Sequence, residues 1–232
     1  MRERLRPYGS GALCDTIVPW ALVETDGPAP IPQQERRELF GQAALGLLYS
    51  GNFGRAHSWA GIAELAQALD KLGGRIVFSV RGNAVQQLTQ SITEKQAPVR
   101  FAGFASSERL AYRLSAADIH IVSLREHWTG TVVPSKFFGA LAMGRPVLFV
   151  GSRDSAVARW IQEFGVGWVL DPLRIEQLAA ELARWSASPE EKYNLFRHCH
   201  RVYETEFSRT RAVERWDERL RGLLENADTL AA

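Results

Sequence analysis

The sequence predicts an α/β fold: a doubly wound parallel sheet of about six strands, with helices on both faces and more helices at the C-terminal end. Three observations predict it. Short aliphatic runs alternate with helical periodicity from Leu45 to Trp185, as right-handed βαβ units require. Ile119, Ile121 and Val122 make a short β-branched run, and Pro146 to Val150 is apolar enough for a strand buried on both faces. Glycine-bearing polar loops follow several of the strands, where ligands of open parallel sheets bind.

In chain order, residues 1–44 lack sustained periodicity apart from a short strand expected at Cys14 to Val18, and GPAPIP at 27–32 is extended and turn-rich, so this part reads as a linker or entry segment. LGLLYS, Leu45 to Ser50, is the first strand and runs into the loop Gly51 to His57. The helix that follows carries Ile62, Leu65, Leu69 and Leu72 on one stripe and stops at Gly73-Gly74. A strand over Arg75 to Val80 leads through Arg81-Gly-Asn83 into a helix over 84–92. A strand over Val99 to Phe104 precedes a helix that Ser106 or Ser107 caps, with Leu110 and Leu114 inward.

After the strand at Ile119 comes a polar loop and a compact helix with Phe138, Leu141 and Ala142 on one face. Ser135 stands at its N-cap and Gly144 at its left-handed C-terminal turn. Beyond Val150 follow a helix over 153–164, a strand Gly167 to Leu170 and a helix from Leu173 to Trp185. Ser188-Pro-Glu-Glu191 is a capping box opening a helix to about Glu204. A last helix, Ser208 to Leu224, gathers Val213, Trp216, Leu220 and Leu223 on a face for core packing or a partner domain. The whole is one domain: a linker to 44, a core over 45–206 and a C-terminal helix over 207–232.

Composition excludes several classes. The 232 residues are 46% hydrophobic and 10% aromatic, ordinary for a globular core, and the formal charge is only +2 with the arginines spread out. Nucleic acid is therefore not an expected partner. Cys14 and Cys199 have no metal-like spacing, and His198 and His200 diverge from Cys199 on a helix, so neither a disulfide framework nor a metal site is expected. MRERLRPYGSGAL has no apolar leader core, and no run approaches the roughly 20 apolar residues of a membrane span. A reducing, cytoplasmic setting is the expectation.

The loops at the strand ends hold Asn52, Arg55, His57, Arg81, Glu126, His127, Thr129, Thr131, Ser135 and Lys136. Cations beside glycine turns and helix N-termini suit a diphosphate with a polar group attached. Ser135 either caps its helix or joins Thr131 and Lys136 at a phosphate, and His57 either meets the ligand or stabilises its turn. No G-x-G-x-x-G, Walker, G-x-S-x-G or H-E-x-x-H motif occurs, which disfavours a nicotinamide enzyme, an NTPase, an α/β-hydrolase and a zincin.

LLYSGNFGRAHSW, VRFAGF, LAYRLSAADIHIVSL and GTVVPSKFFGALAMGRPVLFVG, in that order, resemble the C-terminal half of retaining glycosyltransferases of family 4 (group 1) with the GT-B fold. The resemblance spans roughly residues 14 to 224 and is nearest to bacterial surface-polysaccharide members, the colanic-acid and N-acetyl-L-fucosamine transferase types. It implies a Rossmann-like donor domain for a UDP- or GDP-sugar, with no cofactor and no metal. It also implies a glycan or lipid-linked acceptor held by an N-terminal domain that is absent here, and peripheral membrane association of the full enzyme. By resemblance, Gly51, Asn52 and Arg55 lie at the diphosphate and sugar. The turns at Gly82 and at Phe104, after Phe101, approach the base, and Thr131, Ser135 and Lys136 sit at the pyrophosphate. Arg55 and Lys136 would stabilise the leaving diphosphate while the acceptor hydroxyl attacks from the same face.

The chain departs from the family pattern in two places. The Glu-x7-Glu motif of many relatives falls on Thr131 and Gly139, and the lysine often found five residues after the first-loop arginine falls on Ala60. Two rivals share the fold: a nucleotide-sugar epimerase, for which Glu126 and His127 are the adjacent acid and base, and a non-catalytic subunit that docks an acceptor domain through the Val213 to Leu223 face and residues 14–20. A Rossmann-like domain with no retained ligand site is the bland alternative.

Overall fold

The computed structural model describes Pro7 and residues 15–231. Its strands are β1 Leu45–Asn52, β2 Gly74–Arg81, β3 Val99–Ala102, β4 Ile119–Ser123, β5 Val147–Val150 and β6 Gly167–Val169. They form one parallel sheet in the order β3-β2-β1-β4-β5-β6. The helices are α1 Gln33–Phe40, α2 Ile62–Asp70, α3 Val85–Glu94, α4 Leu110–Ser115, α5 Lys136–Ala142, α6 Ala156–Phe164, α7 Ile175–Ser186, α8 Pro189–Val202 and α9 Arg209–Ala231.

The chain builds outward from β1 to β3, then returns to lay β4 on the other side of β1, pairing Leu47 with Ile119 and Leu48 with His120. Connections therefore diverge between β1 and β4, and the crevice of a doubly wound sheet opens there.

Strand alternation decides which layer each side chain enters. Leu47, Tyr49, Ile76, Phe78, Ile121 and Leu148 face one core with α2, α3 and α7. Val122, Val147 and Phe149 face the other with α5, α6 and α8. Leu48 and Val77 meet Leu39 and Phe40 of α1. Helix α5 is anchored by an aromatic group: Phe137 lies 5.5 Å from Trp160 and from Phe207, ring centre to ring centre.

Several local expectations are corrected. The segment read as a linker contains α1, whose Glu35 is buried against Arg113 (2.5 Å) and also pairs with Arg109. Residues 15–18 form no strand, and Cys14 lies outside the described residues. Leu72 lies beyond α2 and is exposed, because the helix ends at Asp70. Neither Ser106 nor Ser107 caps α4: its N-cap is Arg109, without a side-chain bond. Ser155 and Ser188 do cap, accepting from Ala158 N at 3.1 Å and Glu191 N at 3.3 Å. Gly144 takes its left-handed φ of 70°.

Below the sheet, two buried charges tie the chain together. Arg145 donates to the carbonyls of Ala117, Met143, Ala29 and Ser115 at 2.6–2.9 Å. The Asp118 carboxylate accepts from Gly46 N at 2.7 Å and pairs with Arg36 at 2.8 Å and Lys192 at 2.6 Å.

Candidate functional site

The loops after β1 and β4 are laced together at the switch point. Arg125 N donates to Ala56 O (2.8 Å), its guanidinium donates to His57 O (3.0 Å), and Ser58 N donates to Ser123 Oγ (3.2 Å). Arg125 also stacks over Trp59 at 5.0 Å. Onto this lacing α5 delivers Lys136. Its Nζ lies 3.3 Å from His57 Nε2 and 5.2 Å from the centre of the Tyr49 ring.

Gly51 is what lets Lys136 in. At φ +119° it holds a backbone shape that side chains rarely adopt, and a Cβ there would stand 3.0 Å from Lys136 Cε. Burial pushes the Lys136 ammonium down to about 8. His57 is pushed down to about 4, first by burial and then by the neighbouring ammonium. At neutral pH the imidazole is uncharged and the lysine keeps most of its charge. The ring has two arrangements: Nδ1 accepts from Gly54 N–H at 3.2 Å with the proton on Nε2, or Nδ1 carries the proton 3.4 Å from Gly54 O and leaves Nε2 to accept from Lys136.

Arg55 is on the same β1 loop, between Gly54 and His57, and its side chain is exposed with no hydrogen bond or ion pair among the described residues. Arg55 thus stands two residues before His57, which contacts Lys136. Thr131 and Ser135 are exposed on the approach to α5. Ser135 is already helical in backbone shape, φ −62° and ψ −19°, and its hydroxyl makes no cap bond, so the capping reading is corrected.

Toward β2 and β3 the rim continues. Asn52 Oδ1 accepts from Arg81 Nε at 3.2 Å, and the Arg81 guanidinium lies 4.2 Å over the ring of Phe104, which is 43% exposed. Gly82 makes the turn possible: at φ +133° its missing Cβ would meet Phe53 O at 2.5 Å. Glu126 and His127 are exposed on a short 3-10 turn, and the His127 ring lies 5.9 Å from that of Trp128. Among the described residues no contact joins Glu126 or His127 to Lys136.

Gly139 faces α4, where a Cβ would lie 3.7 Å from Leu114, an ordinary contact. Space does not forbid a side chain at this motif position. His198 and His200 point apart, to Phe164 O and Thr25 O at 2.6 and 2.8 Å. Among the described residues no three His, Cys, Asp or Glu side chains gather as metal ligands would. Surface hollows of about 270 and 520 Å³ open beside Arg75 and beside α8, and neither touches the rim.

Sequence reasoning missed Tyr49 and Arg125. Strand alternation signals only that Tyr49 points inward, and nothing in a sequence shows that a lysine 87 positions later lies over its ring.

Comparison with known proteins bears on what this rim serves. A curated relative, the probable glycosyltransferase WbjE of Pseudomonas aeruginosa, is 28% identical over 181 residues, 73% of this chain and 44% of the relative. This chain thus spans less than half of that protein. TarM of S. aureus, solved with UDP, superposes with a TM-score of 0.67 at 12% identity over 94% of this chain and 41% of TarM. The C-terminal domain of the group 1 glycosyl transferase LpcC of Francisella tularensis does so at 0.56 and 17%, covering 81% of this chain and 99% of that domain. These likenesses place the fold among GT-B glycosyltransferases. The sequence model of "Glycosyl transferases group 1" matches residues 45–188, the span from β1 through α7 that builds the rim, and the chain belongs to that family.

Proposed function

We propose that this chain is the donor-binding part of a glycosyltransferase and holds the diphosphate of a UDP- or GDP-sugar at the crevice between β1 and β4. The observation that carries the reading is the placing of Lys136 against Gly51 and His57: a partly buried ammonium from α5 held by neutral groups, beside the loop that carries Arg55. Such a charge is left for an incoming anion.

In this reading Arg55 and Lys136 stabilise the leaving diphosphate, and Gly51, Asn52, Thr131 and Ser135 border its path. Gly82 and Phe104 border the base. Transfer retains configuration, needs no metal, and serves polysaccharide or glycolipid synthesis in the cytoplasm. The supporting facts are the ordered motifs, a curated relative named as a probable glycosyltransferase, and UDP in the solved TarM.

Calorimetry with UDP, GDP and ADP tests the donor site. UDP or GDP is expected to bind, and Lys136→Ala to weaken that binding at least tenfold, the worth of one charge-assisted contact of about 1.5 kcal/mol or more. Absence of binding by all three nucleotides sinks the reading.

The acceptor is held elsewhere. Val213, Trp216, Leu220 and Leu223 on α9 are 41–53% exposed, and this chain covers 44% of WbjE. We assign that face to an acceptor-binding domain, so the isolated chain does not turn over. Transfer by the isolated chain at the rate of a full-length relative would contradict this.

A further inference from the structure

The other three lysines pair with carboxylates, Lys71 with Glu176 at 3.9 Å, Lys95 with Glu64 at 2.5 Å and Lys192 with Asp118 at 2.6 Å. Lys136 differs. It lies against the imidazole of His57, the face of Tyr49 and the backbone of Gly51. Among the described residues no carboxylate forms an ion pair with it, and burial is what lowers its pKa.

His57 is itself fixed. Its ring packs 5.4 Å from Phe53 and 6.0 Å from Tyr49, and Nδ1 meets the Gly54 peptide, accepting from its N–H at 3.2 Å in one tautomer or donating to its carbonyl at 3.4 Å in the other. Arg125 grips its carbonyl at 3.0 Å. Packing fixes the ring plane, and in the tautomer that donates to Gly54 O the acceptor Nε2 faces the ammonium at 3.3 Å. A neutral acceptor orients a cation without cancelling its charge, whereas a carboxylate would compete with the ligand.

We propose that His57 is the positioning residue of the donor site, a neutral acceptor that aims Lys136 Nζ into the mouth of β1 and keeps its charge available to a diphosphate. The arrangement also supplies from α5 a cation to the loop whose position 60 is alanine. The inference rests on the donor-site reading for its ligand, and on geometry alone for the pair.

Two measurements separate these. Lys71, Lys95, Lys136 and Lys192 are the chain's four lysines, so the side-chain carbon resonance of Lys136 is readily followed by NMR against pH. His57→Phe keeps an apolar ring and removes the acceptor. The Lys136 midpoint is then expected to fall further, because a hydrogen bond to the charged form favours that form. His57→Gln, whose carbonyl replaces Nε2, should return it toward the wild-type midpoint.

UDP affinity should drop roughly tenfold in His57→Phe and recover to within about threefold in His57→Gln, as for loss and restoration of one aimed charged contact. A role confined to bracing the turn predicts no move in the Lys136 midpoint and no rescue by glutamine. An unchanged midpoint in folded His57→Phe overturns the proposal. If wild type binds no nucleotide, the donor reading fails, and the NMR midpoint alone upholds or overturns the pairing of His57 with Lys136.

Discussion

Lys136 is placed at a cost to the fold. An unfolded lysine titrates near 10.5, and burial brings this one to about 8. Between those values the unfolded chain holds the extra proton, so this group makes stability rise with pH over that window, and below pH 8 its full penalty applies. Lys136→Met is accordingly expected to stabilise the chain at pH 7 by about 1 kcal/mol, after allowing for the lost contacts to His57 and Tyr49. The same substitution should remove nucleotide binding. In wild type, UDP affinity should fall up to about tenfold per pH unit above pH 8, as the ammonium is lost. A chemical melt of Lys136→Met and calorimetry at pH 7, 8 and 9 check both, and a pH-independent affinity would contradict the role of the charge. The sequence shows Lys136 and Arg55 as cations at strand ends, because glycine turns and strand boundaries are local signals. It does not show Tyr49 beneath the lysine, since that contact joins β1 to α5 through the register of β4.

At the scale of elements, the site depends on how firmly the returning half of the sheet is fixed. Arg145 opens β5 and is fully buried, its guanidinium over Phe196 at 4.3 Å and hydrogen-bonded to four carbonyls from three separate segments. Those segments are the run before α1, the end of α4 with the approach to β4, and the end of α5. The same clamp thus holds the linker residues and both elements flanking the Lys136 loop. Arg145→Met should cost at least about 3 kcal/mol, because four buried carbonyls lose their donor together. Arg145→Lys should recover only part of that, since an ammonium cannot span the same fan of acceptors. Urea denaturation of the two variants measures both, and a loss under 1 kcal/mol in Arg145→Met would refute the clamp. Little of this was legible. Arginine after a glycine turn reads as solvent-exposed, and α1 hides its periodicity because its inward positions include Glu35, paired with Arg113, as well as Leu39 and Phe40. The alternation of strands and helices from β1 to α7 was legible, because each strand is apolar and each helix carries an apolar stripe.

For the molecule as a whole, the sheet is covered on both faces, yet α9 presents Val213, Trp216 and Leu220 at 50–53% exposure. Core packing is the ordinary fate of such a stripe, and here the stripe stays outside because α9 is joined to the body by other contacts. Ala212 is buried, Arg209 N donates to Glu24 at 2.9 Å, Arg215 pairs with Glu206 at 3.3 Å and Arg219 pairs with Asp15 at 2.9 Å. An exposed apolar row rimmed by paired charges is suited to a protein partner more than to an anionic bilayer, whose attraction needs unpaired cations. The double variant Trp216→Ser, Leu220→Ser should therefore leave the melting midpoint of the isolated chain within about 0.5 kcal/mol of wild type, as surface changes do, and leave UDP binding unchanged. What it should lose is transfer activity reconstituted by adding the N-terminal half of a full-length relative. If the double variant melts several degrees lower, the stripe packs within this chain. If it supports reconstituted transfer as well as wild type does, the acceptor domain docks on another face.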